Sequence, residues 1–305
     1  MNTLRRLLQN KWIRLILIIL IVGTTFGIFG NYLATHPEVI DQLVSLSPTS
    51  LLLLTLAYIG TILANAYVLS VSLRMIGKRV GFLENASLTG YSSVINFFGP
   101  LQSGPGVRAA YLKQRHGVAV RKFLYATVVF YGFFAFINAL ILLTALVLRT
   151  PGNLATLLIF SVLLMSISAV ALILNLSVRA RLLAKSVKLT DRNFWFIGIG
   201  AAALSLCTSL AYFVELQHVE PATTFMQTVV YAAAANLALF VSLTPGAIGF
   251  RESFLFLTQQ LHQISNDTIL AASIIDRAFY VVFLLVLFVV LLLITGSRFR
   301  KAKLQ

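Results

Sequence analysis

Charge and cysteine are scarce in this chain of 305 residues, and each shortage narrows the class of protein. Only 11% of the residues are charged and 59% are hydrophobic, whereas about a quarter of the residues are charged in a typical soluble domain. The composition therefore indicates a polytopic membrane protein. The one cysteine, Cys207, lies within an apolar run, so a disulfide framework is excluded and a packing role is expected.

Motifs of several common enzyme classes are also absent from the sequence. It contains no phosphate-binding P-loop, no Asp-x-Asp pair for a nucleotide sugar and no His/Cys cluster with metal-ligand spacing. Gly198-Ile199-Gly200 imitates the start of a dinucleotide loop, but it lies inside an apolar run, where small residues favour close helix packing. We therefore expect no cofactor, no metal and no enzymatic activity of the chain's own.

Acidic residues number only nine against 24 Lys and Arg, which gives a formal net charge of +15. The basic residues flank apolar runs, so they indicate topology rather than binding of nucleic acid. With the basic loops placed in the cytoplasm, both termini are predicted inside the cell, and a loop with Glu215, His218 and Glu220 is predicted outside. The apolar runs predict six spans of the cell membrane, at 15–34, 51–73, 123–148, 154–178, 194–214 and 268–296.

Two further segments, 85–107 and 222–261, are interrupted by glycine and proline; the first is uncharged but too polar for an ordinary span, and the second is hydrophobic and uncharged as far as Phe250. A broken backbone in lipid leaves N–H and C=O groups unpaired unless protein or a water-filled cavity receives them. Basic residues flank the first segment on both sides, whereas the second begins and ends on the predicted external side. We therefore predict two re-entrant helical hairpins that enter the membrane from opposite sides.

The two halves of the chain, 1–149 and 150–305, repeat the same order of span, span, hairpin and span. Breakers and polar residues recur after a shift of 140 residues: Tyr91, Asn96 and Pro105-Gly106 correspond to Tyr231, Asn236 and Pro245-Gly246. Inverted repeats with broken helices that meet near the midplane are typical of transporters. The predicted fold is an all-α integral membrane protein, a single domain over 1–305, with six spanning helices and two re-entrant hairpins in two inverted-topology repeats.

Both hairpin tips resemble helix starts followed by arginine. Pro in the first turn after Ser or Thr begins a helix well, and free N–H groups there favour a phosphate. Arg108 and Arg251 follow the two starts, and the planar fork of arginine suits phosphate. Two alternatives stay open: Arg108 as a cytoplasmic topology charge, and 244–252 as a proline-initiated helix with a structural ion pair.

Charged residues within the last two apolar segments are costly in lipid and therefore mark a candidate site. Arg251 with Asp276, or Glu252 with Arg277, would form neutral pairs, and the sequence does not choose between them. Asn96 and Asn236 either line a cavity or make interhelical hydrogen bonds. The candidate substrate-binding residues are Asn96, Pro105, Gly106, Arg108, Asn236, Thr244, Pro245, Gly246, Gly249, Arg251, Glu252, Asp276 and Arg277.

The run from Thr244 to Glu252, Thr-Pro-Gly-Ala-Ile-Gly-Phe-Arg-Glu, resembles the Pro-Gly-Gly-x-Gly-x-x-Glu element of the lysylphosphatidylglycerol synthase transmembrane region. The Ser-Gly-Pro-Gly-Val-Arg run that ends at Arg108 is similar to an earlier Gly-rich element of that family. The resemblance implies a flippase-like membrane domain. Members that modify phosphatidylglycerol carry a further cytoplasmic aminoacyl-transferase domain; since this chain stops at Gln305, and Ala247 replaces a frequent glycine, lysyl-lipid synthesis is not expected.

These observations favour a lipid flippase or transporter for an anionic phospholipid or a polyprenyl-phosphate-linked lipid. The alternative is a non-transporting membrane scaffold for a cytoplasmic glycosyltransferase or lipid-modifying enzyme, which would contact the basic loops. An intramembrane enzyme using Glu252 or Asp276 is disfavoured because no nucleophile or metal set accompanies these carboxylates. The inverted repeat favours transport, since a scaffold needs no two-state symmetry.

Overall fold

A computed structural model of the chain describes residues 44–98, 103–149, 192–240 and 249–301. The chain divides into two compact units, Met1–Leu46 and Ser47–Gln305, and the described residues belong almost entirely to the second. Two predicted spans, 15–34 and 154–178, lie outside the described residues. So does the segment 241–248, which contains Thr244, Pro245 and Gly246.

Helices and short connections make up the described ranges, and no β-strand occurs within them. In chain order the helices are α1 (Pro48–Met75), α2 (Phe82–Phe98), α3 (Gly104–His116), α4 (Val120–Arg149), α5 (Arg192–Val219), α6 (Phe225–Ala238), α7 (Phe250–Leu257), α8 (Gln259–His262) and α9 (Asn266–Lys301).

Four of these helices, α1, α4, α5 and α9, are long and apolar enough to cross a membrane. Large apolar side chains stay exposed on their outer faces, among them Leu56, Leu140, Leu206 and Leu293. Helices that are apolar on all sides suit a lipid environment rather than water. The runs 51–73, 123–148, 194–214 and 268–296 are thus confirmed as helices, each somewhat longer than predicted.

Local sequence explains where several helices begin and end. The hydroxyl of Ser47 accepts the N–H of Ser50 at 3.1 Å, just before Pro48 opens α1. Helix α3 begins at Gly104-Pro105 and stops at Gly117, whose left-handed φ of +62° a glycine adopts without strain. The predicted helix start at Ser103-Gly104-Pro105 is therefore confirmed.

The close approach of α1 and α5 depends on glycine. A Cβ atom added at Gly200 would lie 2.5 Å from Cγ2 of Val68 and 3.1 Å from Cδ1 of Tyr67. One added at Gly60 would lie 2.9 Å from Sγ of Cys207. These contacts confirm that Gly200 and Cys207 serve helix packing, as small residues do between spans.

Two helical hairpins pack against the long helices. In the first, α2 and α3 run antiparallel, since Glu84 near the start of α2 contacts His116 at the end of α3 while Asn96 contacts Gly104. In the second, α6 packs against α7 and α8. The first hairpin contacts α1, α4 and α9, and the second contacts α4, α5 and α9.

One sequence prediction about α5 is wrong. The helix runs on to Val219, so Glu215 is helical and fully buried, and does not lie in an external loop. The carboxyl is tolerated there because the hydroxyl of Tyr58 lies within hydrogen-bonding distance of it, at 3.2 Å. Arg251 lies in the first turn of α7, which begins at Phe250, and the helix start predicted at Thr244-Pro245 lies outside the described residues.

Candidate functional site

A cavity of about 620 Å³ lies between the two hairpins and the long helices. The first hairpin contributes Asn96 and Arg108 to its lining, and the second contributes Asn236 and Arg251. Asp276 and Arg277 of α9 complete the charged part of the lining. The structure therefore brings together predicted site residues that are up to 181 positions apart in sequence, from Asn96 to Arg277.

Aromatic side chains cover much of the rest of the cavity wall. The lining includes Phe97, Phe130, Tyr131, Phe134, Phe240 and Tyr280. Tyr131 and Phe240 meet edge to face with ring centroids 5.6 Å apart. The cavity thus offers a charged region and an apolar region to one occupant, which is the chemistry of an amphipathic ligand.

The charged residues of α7 and α9 form both of the pairs between which the sequence could not choose. A guanidinium N–H of Arg251 donates to the carboxylate of Asp276. Nη2 of Arg277 lies 2.6 Å from Oε1 of Glu252, and Nε of Arg251 lies 3.5 Å from the same oxygen. Two arginines and two carboxylates therefore form one connected, electrically neutral cluster.

Glu252 also fixes the beginning of α7. Its Oε2 accepts the backbone N–H of Gly249 at 2.9 Å. Gly249 adopts a φ of +82°, which side-chain-bearing residues rarely reach. The Gly-x-x-Glu spacing therefore both caps the helix and directs the carboxylate toward the two arginines.

Three residues at this cluster, Tyr58, Tyr212 and Glu215, were not among the site residues predicted from the sequence. The hydroxyl of Tyr58 is hydrogen-bonded to Asp276 and lies 3.2 Å from Oε1 of Glu215. Tyr212 accepts a hydrogen bond from Nη1 of Arg251 at 3.3 Å. The available signal for Glu215 was that Leu216 and Val219 continue the apolar helical pattern beyond the carboxyl.

Arg108 is half-buried and lines the cavity. Its Nε donates to Oγ of Ser92 at 2.6 Å. Among the described residues, no carboxylate forms an ion pair with it. The close approach of α3 that places it there needs Gly104, because a Cβ at that position would lie 2.8 Å from the carbonyl oxygen of Ser92.

The two repeat-related asparagines line the cavity and also bind neighbouring groups. Oδ1 of Asn96 accepts the N–H of Gly104 at 3.2 Å. Nδ2 of Asn236 donates to Oδ1 of Asn138 at 3.0 Å and lies 3.1 Å from Oγ1 of Thr208. Both roles considered from the sequence are therefore present, and Asn138 is a partner that the sequence did not reveal.

The remaining predicted site residues differ in position. Pro105 lines the cavity with Gly104. Gly106 and Gly249 are exposed and do not line it, while Glu252 is buried behind Arg251 and Arg277. Thr244, Pro245 and Gly246 lie outside the described residues. No group of three or more His, Cys, Asp or Glu suited to a metal ion occurs in the described ranges.

A separate polar contact closes the base of the first hairpin. Oε1 of Glu84 lies 2.7 Å from the hydroxyl of Tyr111 and 2.7 Å from Nε2 of His116. Burial alone would raise the pKa of Glu84, but the hydrogen bonds from Tyr111 and His116 lower it overall. Burial and the neighbouring carboxylate raise the pKa of Tyr111 to about 12. The contact therefore joins an ionised carboxylate to a neutral phenol at neutral pH.

The fold and site together define a multi-pass helical membrane protein with an amphipathic, arginine-bearing cavity among its spans. Residues 12–288 match the family described as the Lysylphosphatidylglycerol synthase TM region, and the chain belongs to that family. The resemblance to this family is thereby confirmed, and membership makes the chain a membrane protein linked to lipid handling. No curated protein matches the chain.

Proposed function

We propose that this protein moves an anionic lipid between the two leaflets of the cell membrane, without chemistry of its own on the lipid. The cargo is an anionic phospholipid or a polyprenyl-phosphate-linked lipid. The observation that carries the proposal is Arg108, a cavity-lining cation without an ion-pair partner among the described residues. No cofactor takes part.

Charge balance supports a phosphate as the partner of Arg108. The cluster of Arg251, Arg277, Glu252 and Asp276 is neutral as a whole. Arg108 adds one positive charge that no carboxylate of the described residues offsets, and an anion bound beside it would balance that charge. Its Nε is engaged by Ser92, which leaves the Nη groups of the guanidinium to bind two phosphate oxygens.

The apolar part of the cavity accommodates the rest of such a lipid. Phe130, Phe134 and Phe240 line it on the side of α4 and the end of α6. An acyl or prenyl chain would pack against these rings while the headgroup stays near Arg108 and Arg251. The protein would thus offset the cost of carrying a phosphate through roughly 30 Å of hydrocarbon.

The transport cycle that we infer uses the predicted six spans and two re-entrant hairpins in inverted repeats. Two features of the structure support it. Asn96 and Asn236, which correspond in the two predicted repeats, line one cavity. Helices α1 and α5, which also correspond in the predicted repeats, pack along each other. Alternate opening of the two halves would then expose the cavity to each leaflet in turn.

The direct test uses purified protein in phosphatidylcholine vesicles that contain headgroup-labelled phosphatidylglycerol or a labelled polyprenyl phosphate. A membrane-impermeant quencher reports exchange between leaflets. Arg108→Ala should slow exchange about tenfold to a hundredfold, the worth of a charge-assisted hydrogen bond of about 1.5–3 kcal/mol. The matched control is Arg121→Ala, which removes an exposed arginine that does not line the cavity.

A second candidate function, a membrane scaffold for a cytoplasmic enzyme, is favoured by one observation where α1 ends and α5 begins. Arg74, Lys78, Arg79 and Arg192 line a basic cavity of about 660 Å³ there. An acidic surface of a cytoplasmic glycosyltransferase or lipid-modifying enzyme would fit it. Two results together would support the scaffold function. Neither labelled lipid moves faster than in empty vesicles, and such an enzyme copurifies with the wild-type protein but not with the double variant Lys78→Glu/Arg192→Glu.

The orientation that we propose, with both termini in the cytoplasm, has its own test. In a Cys207→Ser background, a single cysteine at exposed Ser265 should react with an impermeant maleimide on intact cells. One at exposed Gln114 should react only after permeabilisation. The reverse pattern, or labelling of both positions on intact cells, contradicts the topology.

A further inference from the structure

Glu215 is a buried carboxyl that the proposed transport site does not use. It has no exposed surface, and among the described residues no arginine or lysine forms an ion pair with it. Its Oε1 lies 3.2 Å from the hydroxyl oxygen of Tyr58, and its Oε2 has no hydrogen-bond partner there. An ionised carboxylate in such a place is costly, and such groups usually take up a proton.

The hydrogen bonds around Tyr58 indicate where that proton lies. The hydroxyl of Tyr58 contacts both Asp276 and Glu215, but it has only one hydrogen to donate. Asp276 is paired with Arg251, so it is the ionised partner and takes that hydrogen. The second contact is satisfied only if Oε1 of Glu215 carries a proton and donates it to the oxygen of Tyr58. The chain then runs from Glu215 through Tyr58 to Asp276 and Arg251.

Charge balance leads to the same assignment. Arg251 and Arg277 are matched by Glu252 and Asp276. An ionised Glu215 would add an unmatched negative charge beside Asp276, whereas a protonated Glu215 leaves the cluster neutral. An anion bound at Arg108 and Arg251 would bring further negative charge toward the same cluster.

The groups that face Glu215 come from five helices: Tyr58 of α1, Tyr212 of its own helix, Tyr231 of α6, Arg251 of α7 and Asp276 of α9. A second layer contains Glu252, Arg277, Tyr280 beside Asp276, and His262 of α8, whose ring centroid lies 5.5 Å from that of Tyr231. Tyr131 of α4 lies near Arg108. Arg251 is the one cation among the groups in direct range, and Asp276 already engages it.

We propose that Glu215 is the proton-binding site of this protein and that it couples proton movement to movement of the lipid anion. The coupling rests on the proposed function; the proton site itself does not. A bound anion favours a protonated Glu215, and by reciprocity a protonated Glu215 favours the bound anion. One proton moves with one lipid anion, so the pair carries no net charge across the membrane. On release, the Tyr58 oxygen takes the proton from Oε1 of Glu215 while the hydroxyl hydrogen of Tyr58 passes to Asp276. Asp276, which lines the cavity, then gives that proton to water and is ionised again.

The coupling is tested in vesicles that contain headgroup-labelled phosphatidylglycerol, with a pH difference of about one unit imposed in either direction. A shift of one unit corresponds to about 1.4 kcal/mol per proton, so the wild-type protein should build up to roughly a tenfold ratio of the probe between leaflets. Glu215→Gln should abolish the accumulation, because glutamine keeps a donor toward Tyr58 but cannot release it. Glu220→Gln is the control, since Glu220 lies just beyond α5 and its carboxylate contacts only Thr268 among the described side chains.

A second measurement tests the proton site on Glu215 without relying on transport. The infrared carbonyl band of a protonated carboxylic acid should be present at neutral pH in the wild-type protein and in Glu220→Gln, and absent in Glu215→Gln. If the wild-type protein exchanges the labelled lipid between leaflets but does not accumulate it under either pH gradient, the proposed proton coupling is wrong, whereas the proposed lipid movement stands. If no probe lipid moves at all, the proposed function fails, and the infrared band alone decides the proton site: an unchanged band in Glu215→Gln overturns it.

Discussion

The four charges that face one another between α7 and α9 allow a quantitative prediction of stability. Glu252 is the only carboxylate among the described residues that pairs with Arg277, and it also contacts Arg251 at 3.5 Å. Asp276 pairs with Arg251 alone. Glu252→Gln therefore leaves Arg277 without a partner, whereas after Asp276→Asn the guanidinium of Arg251 still has Glu252 within reach.

The expected magnitudes follow from the burial of these side chains. The side chains of Arg277 and Glu252 are 15% and 9% exposed, so water screens little of their interaction. Breaking a buried pair by removal of one partner costs about 3–5 kcal/mol, which we expect for Glu252→Gln. Asp276→Asn should cost about 1.5–3 kcal/mol, the range for loss of one charge-assisted hydrogen bond. At about 2 °C per kcal/mol for a chain of this size, Glu252→Gln lowers the midpoint of thermal unfolding by roughly 6–10 °C.

The assay is thermal unfolding of the purified protein in detergent, followed by size-exclusion chromatography of the surviving monodisperse fraction. Glu220→Gln serves as the control, because it removes a carboxylate that accepts a hydrogen bond from Thr268 and forms no ion pair among the described residues. The double variant Glu252→Gln/Arg277→Gln should recover about 2 kcal/mol relative to the sum of the single changes, since it removes the stranded charge. Equal midpoints for Glu252→Gln and Glu220→Gln, or additive losses in the double variant, would refute the reasoning.

Two further predictions concern packing and pH. Gly200→Ala should lower the free energy of unfolding by about 1–3 kcal/mol, because its Cβ would lie 2.5 Å from Cγ2 of Val68. The control is Gly81→Ala, which has nothing within 4 Å of the added atom and should leave the midpoint of thermal unfolding unchanged. Equal effects of the two substitutions would contradict the packing of α1 on α5. The folded-state pKa of Glu84 is depressed from its ordinary value of 4.5, so its stabilisation is present above that value and is lost as the pH falls through the folded-state pKa. Glu84→Gln should therefore unfold earlier than the wild-type protein at neutral pH and converge with it in acid, and a difference that is independent of pH would speak against the hairpin contact.

The long helices were predictable because a membrane leaves a strong local signature. Runs 51–73, 123–148 and 194–214 carry no charge, 268–296 carries only the adjacent Asp276 and Arg277, and the helices occupy all four runs. The pairing of charges was predictable only in part. Arg251-Glu252 and Asp276-Arg277 are both adjacent residues, so two facing helices can satisfy both pairs at once, which the sequence presented as alternatives.

Glu215 was misplaced because its environment is assembled from distant parts of the chain. A carboxyl near the end of an apolar run normally marks the return to water. Here it is received by Tyr58, 157 residues earlier, and by the neighbourhood of Asp276, in contacts that no local pattern contains. The same holds for Asn236 and Asn138, whose hydrogen bond joins residues 98 positions apart.

The contact between Gly60 and Cys207 allows an engineered disulfide to test the proposed transport cycle. A Cβ at position 60 would lie 3.7 Å from Cβ of Cys207, which is within the separation of about 3.5–4.5 Å that a disulfide requires. Gly60→Cys would therefore create an oxidisable bridge in a chain whose only native thiol is its partner. If the oxidised protein still exchanges lipid, α1 and α5 form the static frame and the hairpins move against it; if exchange stops and a reductant restores it, the two helices slide during each turnover.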